Sequence, residues 1–124
     1  MSLKTASRLV GTMVSNDRKE NDFYPTPKWA TEQLLKYEKF DGDIWEPACG
    51  DGAISEVLKE HGYTVTSSDI IDRGYSPYVW DFFNQYFKRD NIITNPPFNL
   101  CTEFILKSKL SANKKIAMFL KTTA

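Results

Sequence analysis

The sequence predicts an α/β domain built on a doubly wound, mostly parallel sheet. Two observations carry that prediction. Short apolar runs alternate with segments of helical periodicity along most of the chain. Each unusual motif also falls directly after an apolar run, which is where the carboxyl ends of parallel strands gather and where such sheets bind ligands.

The elements follow in order. Residues 1–22, "MSLKTASRLVGTMVSNDRKEND", are polar and aperiodic and read as a loose N-terminal arm, leaving residues 23–124 as the folded domain. "YPTPKWATEQLLKY" reads as a first helix, with Thr26 as cap, Pro27 at the first helical position, and Ala30, Leu34 and Tyr37 on one face. Asp43 to Glu46 forms a short strand closed by Pro47, and "CGDG" is a loop bracketed by glycines. "AISEVLKEHG" is a second helix, with Ile54, Val57, Leu58 and His61 on its apolar face and Gly62 ending it. "TVTSSD" is a second strand ending at Asp69, and a loop leads to a short third strand near Tyr78–Trp80. "NIITN" is a buried fourth strand. Asn99 is placed to cap a third helix carrying Phe104, Ile105 and Leu110, and "KKIAMFLK" is a fifth strand, apolar from Ile116 to Leu120.

Composition narrows the function classes. With 41% hydrophobic and 14% aromatic residues, the 124-residue chain can bury a real core. Lys plus Arg equals Asp plus Glu at 16 each, so no global charge draws the chain to nucleic acid or to anionic lipid. Lys107, Lys109, Lys114 and Lys115 make a modest local basic group, which is also what a solvated helix face and turn would show. There is no apolar stretch of membrane-spanning length and no signal-peptide pattern. Cys49 and Cys101 are far apart and match no metal spacing, with only His61 to join them, so the expectation is a cytoplasmic protein without metal.

Three stretches carry chemistry. In "EPACGDGAI", Gly50 and Gly52 allow a close approach to a ligand just before a helix N-terminus. The loop is neither G-x-G-x-x-G nor a phosphate loop, and the acids Glu46 and Asp51 disfavour a pyrophosphate. A nucleoside bearing a positive group fits better, while a plain tight turn explains the glycines equally well. Asp69 lies about 20 residues on, where dinucleotide folds place the acid that binds ribose hydroxyls. A turn cap is its other reading. Asp81 can accept from an adenine amino group and Phe82 can stack on its ring, and an aromatic core pair is the alternative for Phe82.

The third stretch is "NPPF", Asn95 to Phe98, after the fourth strand. Two consecutive prolines fix φ twice and supply no N–H. They hold the Asn95 side-chain carbonyl and the Pro96 backbone carbonyl rigidly as two acceptors. Two acceptors converging on an –NH₂ group orient its lone pair and stabilise the charge developing on nitrogen. Phe98 can stack on the ring that bears the amine. A proline turn capped by Asn is the structural alternative.

"EPACGDG" and "NPPF" together resemble the S-adenosylmethionine-dependent amino-methyltransferases, above all the adenine-specific DNA methyltransferases of phage and restriction systems. "FYPTP", Phe23 to Pro27, resembles the segment that closes over the methionine end of the cofactor in one branch of that family. The resemblance spans roughly residues 23–121 and implies a Rossmann-like class I methyltransferase fold. It implies that Tyr24, Thr26, Glu46, Ala48 and Gly50 line the methionine half of S-adenosylmethionine. It further implies that Asp69 binds the ribose, Asp81 and Phe82 the adenine, and that Asn95, Pro96, Pro97 and Phe98 are catalytic, holding a flipped adenine of DNA.

The family's sheet has seven strands, whereas this sequence stops at Ala124 after the fifth, so the fold is expected to be truncated and to lack a target-recognition region. The expected consequence is homo-oligomerisation through the bare edge of strand five, or cover by the N-terminal arm. The same tetrapeptide also serves RNA and protein-glutamine methyltransferases. A non-catalytic remnant that binds the cofactor and acts through assembly is the reading from a different class.

Overall fold

The computed structural model describes residues 24–120. The N-terminal arm, Phe23 and Lys121 lie outside the described residues. Three helices, α1 (Lys28–Tyr37), α2 (Ala53–Glu60) and α3 (Cys101–Ser111), alternate with five strands, β1 (Ile44–Glu46), β2 (Val65–Asp69), β3 (Tyr78–Val79), β4 (Arg89–Thr94) and β5 (Ala112–Met118). Every strand pairing is parallel, in the order β3-β2-β1-β4-β5. The chain thus winds outward from β1 to one edge, then returns past β1 and builds to the other. This is the expected doubly wound α/β architecture, and its switch point falls between β1 and β4.

The sheet buries both faces because its strands alternate large apolar residues across the plane. Ile44, Ile93 and Ala117 face α1 and α2, meeting Ala30, Leu34, Ile54 and Leu58. Their neighbours Trp45, Ile92 and Met118 face the other way, meeting Phe82 and Phe104 of α3. Trp45 is fully buried at the centre of the second cluster, edge-on to Phe82 at 5.0 Å and stacked on Phe87 at 4.5 Å. Its indole N–H donates to Ser68 Oγ at 2.9 Å, so the one polar atom of the ring is satisfied. Asn91, also fully buried, ties the sheet's other end by donating to the carbonyls of Asp41 and Asp43 and accepting from Lys115 N–H.

Several local expectations are corrected. The residue capping α1 is Pro27, not Thr26, and it makes no side-chain cap bond. Asn99 does not cap α3 either. It lies inside a single 3₁₀ turn, Phe98–Leu100, because Pro97 holds an extended ψ of 137° and the turn closes when Leu100 N–H reaches the Pro97 carbonyl. Tyr37, His61 and Leu110 belong to the solvent side of their helices rather than the apolar face.

β5 starts at Ala112, earlier than its apolar run, so Lys114 and Lys115 lie within the strand. The ladder to β4 pairs Asn91 with Lys115, and ion pairs to Asp41 and Glu38 take up the lysine charges. Backbone pairing with a neighbour has outweighed the local preference for a turn. β5 is an edge strand among the described residues, and those two charges sit on the edge through which assembly was expected. No helix among the described residues is long and apolar enough to cross a membrane.

Candidate functional site

The site lies at the carboxyl ends of β1, β2 and β4. At the end of β1, Glu46 is 1% exposed and accepts from Ser55 Oγ of α2 at 2.6 Å and from Thr94 Oγ1 of β4 at 3.5 Å. Ser55 also bonds Ser67 of β2, at 2.7 Å. No ion pair joins Glu46 to a cation among the described residues. Burial, with the nearby Asp69 charge adding to it, raises the Glu46 carboxyl from 4.5 to about 8. The sequence reading counted Glu46 as a negative charge beside the loop. In the folded chain burial instead favours its protonated form, because a lone carboxylate is costly to bury.

The glycine loop that follows is stapled to β2. Asp69 accepts from Gly50 N–H through Oδ2 at 2.8 Å and from Ile71 N–H through Oδ1 at 3.0 Å, while Cys49 N–H reaches the Ser68 carbonyl at 2.9 Å. Gly52 begins α2 with φ at +93°, and a Cβ there would run into the ring of Tyr75. Tyr75 in turn bonds Glu56 and Lys59 of α2, so the β2–β3 connection clamps the loop from outside. Glycine at position 52 is required by both conformation and space. Cys49, buried beside the two acids, has its thiol pushed up to about 12, chiefly by burial.

Asp69 and Asp81 both act as caps. Asp81 Oδ1 accepts from Phe83 N–H at 3.0 Å and opens the 3₁₀ turn Phe82–Asn84. Phe82 is 2% exposed, with its ring in the Trp45 cluster. The structural alternatives weighed for Asp69 and Phe82 are therefore realised, and Asp81 caps a turn that sequence reasoning did not assign to it, yet all three also line the cleft described next.

After β4, Asn95 donates through Nδ2 to Thr26 Oγ1 at 3.1 Å, across 69 positions of sequence. Its Oδ1 is buried and has no hydrogen-bond partner among the described residues. Pro96 is buried, and no described backbone N–H donates to its carbonyl. Phe98 is 45% exposed.

Two concavities open along these strand ends and share Ala48 and Asn95. The larger, about 540 Å³, is walled by Asp69, Asp81, Phe82 and Pro97. The smaller, about 260 Å³, is walled by Tyr24, Thr26, Glu46 and Gly50. All the residues expected to bind cofactor thus fall on one lobe or the other, and Asn95 stands where the lobes meet. Pro96 and Phe98 belong to neither wall. Sequence reasoning did not select Ile70, Ile71 and Arg73 of the β2–β3 connection, Trp80 just after β3, nor Leu100 and Phe104, all of which line the larger lobe. The only sequence signal for the first three was that an eight-residue connection (70–77) leaves a strand end already marked by an acid.

The expected basic group does not gather at this site. Lys114 and Lys115 pair with Asp41 and Glu38 near the amino ends of the strands, away from the cleft. Lys107 donates to the Gln85 carbonyl and lies over the Tyr86 ring. In comparisons with known proteins, the chain matches no family model and no curated protein.

Proposed function

We propose that this chain binds S-adenosylmethionine in the two-lobed cleft and transfers its methyl group to the exocyclic amino group of adenine in DNA. The observation that carries the reading is the buried Asn95 Oδ1, an acceptor left without a partner at the junction of the lobes. Buried acceptors are nearly always satisfied by protein, water or ligand, and one left open within a cleft is placed to take a donor from a ligand. An –NH₂ group supplies that donor.

The chain's residues fit the cofactor. The larger lobe offers apolar walls from Ile70, Trp80 and Phe82 with Asp69 and Asp81 at its polar positions, suited to adenosine. Each Asp69 oxygen already accepts one N–H and retains a second lone pair for a ribose hydroxyl. The smaller lobe holds the Glu46 carboxyl, whose ionised form would pair with an α-ammonium. When bound, S-adenosylmethionine supplies an electrophilic methyl group on a sulfonium.

The chain's own part is positioning and electrostatics. Asn95 Oδ1 accepts from the amine and turns its lone pair toward the junction. The Pro96 carbonyl, unclaimed by a described backbone N–H, is a second acceptor fixed by the proline pair. Both stabilise positive charge developing on the nitrogen, and they serve the transition state more than the ground state. Phe98, half exposed beside them, offers a face for a base drawn out of the duplex.

The test is methyl transfer from isotopically labelled S-adenosylmethionine to unmethylated duplex DNA, with Asn95→Ala beside the wild type and cofactor binding followed by calorimetry. The expected outcome is label in N6-methyladenine for the wild type, and cofactor affinity retained but label lost for Asn95→Ala. Absence of cofactor binding at millimolar concentration, or label in RNA or protein but not in DNA, would overturn the reading.

A further inference from the structure

The hydroxyl of Thr26 has an unusual assignment. A threonine between Pro25 and Pro27, just ahead of α1, is in the usual place for a helix cap, yet it makes no cap bond. The side chain is 7% exposed and its Oγ1 accepts from Asn95 Nδ2 at 3.1 Å. Flanking prolines fix φ on either side of it and restrict Thr26 itself to extended backbone, so its hydroxyl is held in place with little freedom to lose. Asn95 is followed by the rigid Pro96–Pro97 pair. The contact therefore joins two stiff segments that lie 69 positions apart in sequence.

That bond holds the Asn95 amide in one of its two orientations, the one in which the Thr26 hydroxyl accepts. A carboxamide has a carbonyl oxygen on one side and an NH₂ on the other, and rotation by half a turn exchanges them. With Nδ2 engaged by Thr26, the carbonyl oxygen is the atom left open at the junction of the lobes. Turned the other way, the side chain would present donors to an incoming amine and repel it.

We infer that Thr26 is a positioning residue: its hydroxyl holds the Asn95 amide so that Oδ1, not Nδ2, faces the cleft. The inference rests on the reading of Asn95 as the amine acceptor and adds to it a residue that acts through Asn95. It differs from the expectation that Thr26 merely lines the methionine lobe. A lining role predicts weaker cofactor binding on substitution, whereas a positioning role predicts slower turnover with affinity kept.

The experiment compares the wild type with Thr26→Val, which keeps the shape but cannot engage Nδ2, and Thr26→Ser, which restores the hydroxyl. Thr26→Val should lower kcat by about tenfold or more while the cofactor Kd changes by less than about threefold, and Thr26→Ser should recover most of the loss. A second readout needs no activity. In the wild-type protein the Asn95 side-chain amide protons, assigned by their loss in Asn95→Ala, should exchange slowly with solvent, and slowly again in Thr26→Ser. They should exchange faster in Thr26→Val.

Fast exchange of those protons in the wild type would overturn the inference even if Thr26→Val does not fold. So would a Thr26→Val protein that loses cofactor affinity and turnover in equal measure. Slow exchange in a wild type that transfers no methyl group would uphold the Thr26–Asn95 contact and count against the methyltransferase reading instead.

Discussion

Glu46 is the residue at which a pH change has the largest worked consequence. Its carboxyl is raised from 4.5 to about 8, first by burial and then by the charge of Asp69. Between those two values the folded chain keeps a proton that the unfolded chain has released. The unfolded state then binds fewer protons, so stability falls as pH rises. The contribution is complete below about 4.5 and is progressively lost up to about 8. A displacement of that size, at 1.36 kcal/mol for each unit, costs the folded state on the order of a few kcal/mol at alkaline pH.

Glu46→Gln should remove this dependence. Glutamine keeps an acceptor for Ser55 Oγ, offers a donor toward Thr94 Oγ1, and cannot ionise. Urea unfolding followed by tryptophan fluorescence, with Trp45 as a buried reporter, gives the readout. The wild-type midpoint should fall between about pH 5 and pH 8, while the Gln variant stays nearly level and is the more stable at the upper end. Equal pH slopes for the two proteins, or a Gln variant less stable at the alkaline end, would refute the reasoning. Under the proposed function the same group makes cofactor affinity rise with pH, because an ammonium pairs only with the ionised acid, and Glu46→Gln should flatten that rise too.

Two further outcomes follow from the loop. Gly52→Ala should destabilise the fold by about 1–3 kcal/mol, from the left-handed φ and the contact with Tyr75, and Tyr75→Ala in the same chain should recover only the steric part. Equal stability of Gly52→Ala and wild type in chemical denaturation would show that the loop yields. The buried Cys49 thiol, held up to about 12, should resist alkylation near neutral pH in the native protein and react readily in urea. Fast modification of Cys49 in the native state, read by peptide mass, would contradict its burial.

The sequence alone determined the alternation of strands and helices, the parallel sheet, and the gathering of its odd motifs at the strand carboxyl ends. Those features are legible because they depend on periodicity over a few residues and on the fixed geometry of glycine and proline. Asn95 and the acids were singled out because an unusual tetrapeptide and acids at strand ends stand out locally. The partner each side chain takes was decided only by tertiary structure.

Thr26 read as a cap and became the partner of Asn95, because the two are 69 positions apart and meet only once α1 packs beside β4. Phe82 read either as a stacking face or as a core aromatic, and it is wedged against Trp45 while also lining the cleft. Lys114 and Lys115 read as part of a local basic group or a solvated turn, and the ladder to β4 set them within β5 against Asp41 and Glu38. The protonation of Glu46 was likewise invisible in sequence, since the cost of its charge depends on how much of the surrounding water the folded chain excludes. Local rules place residues on elements. Which lone pair or proton remains open at a site is settled by contacts made across the whole chain.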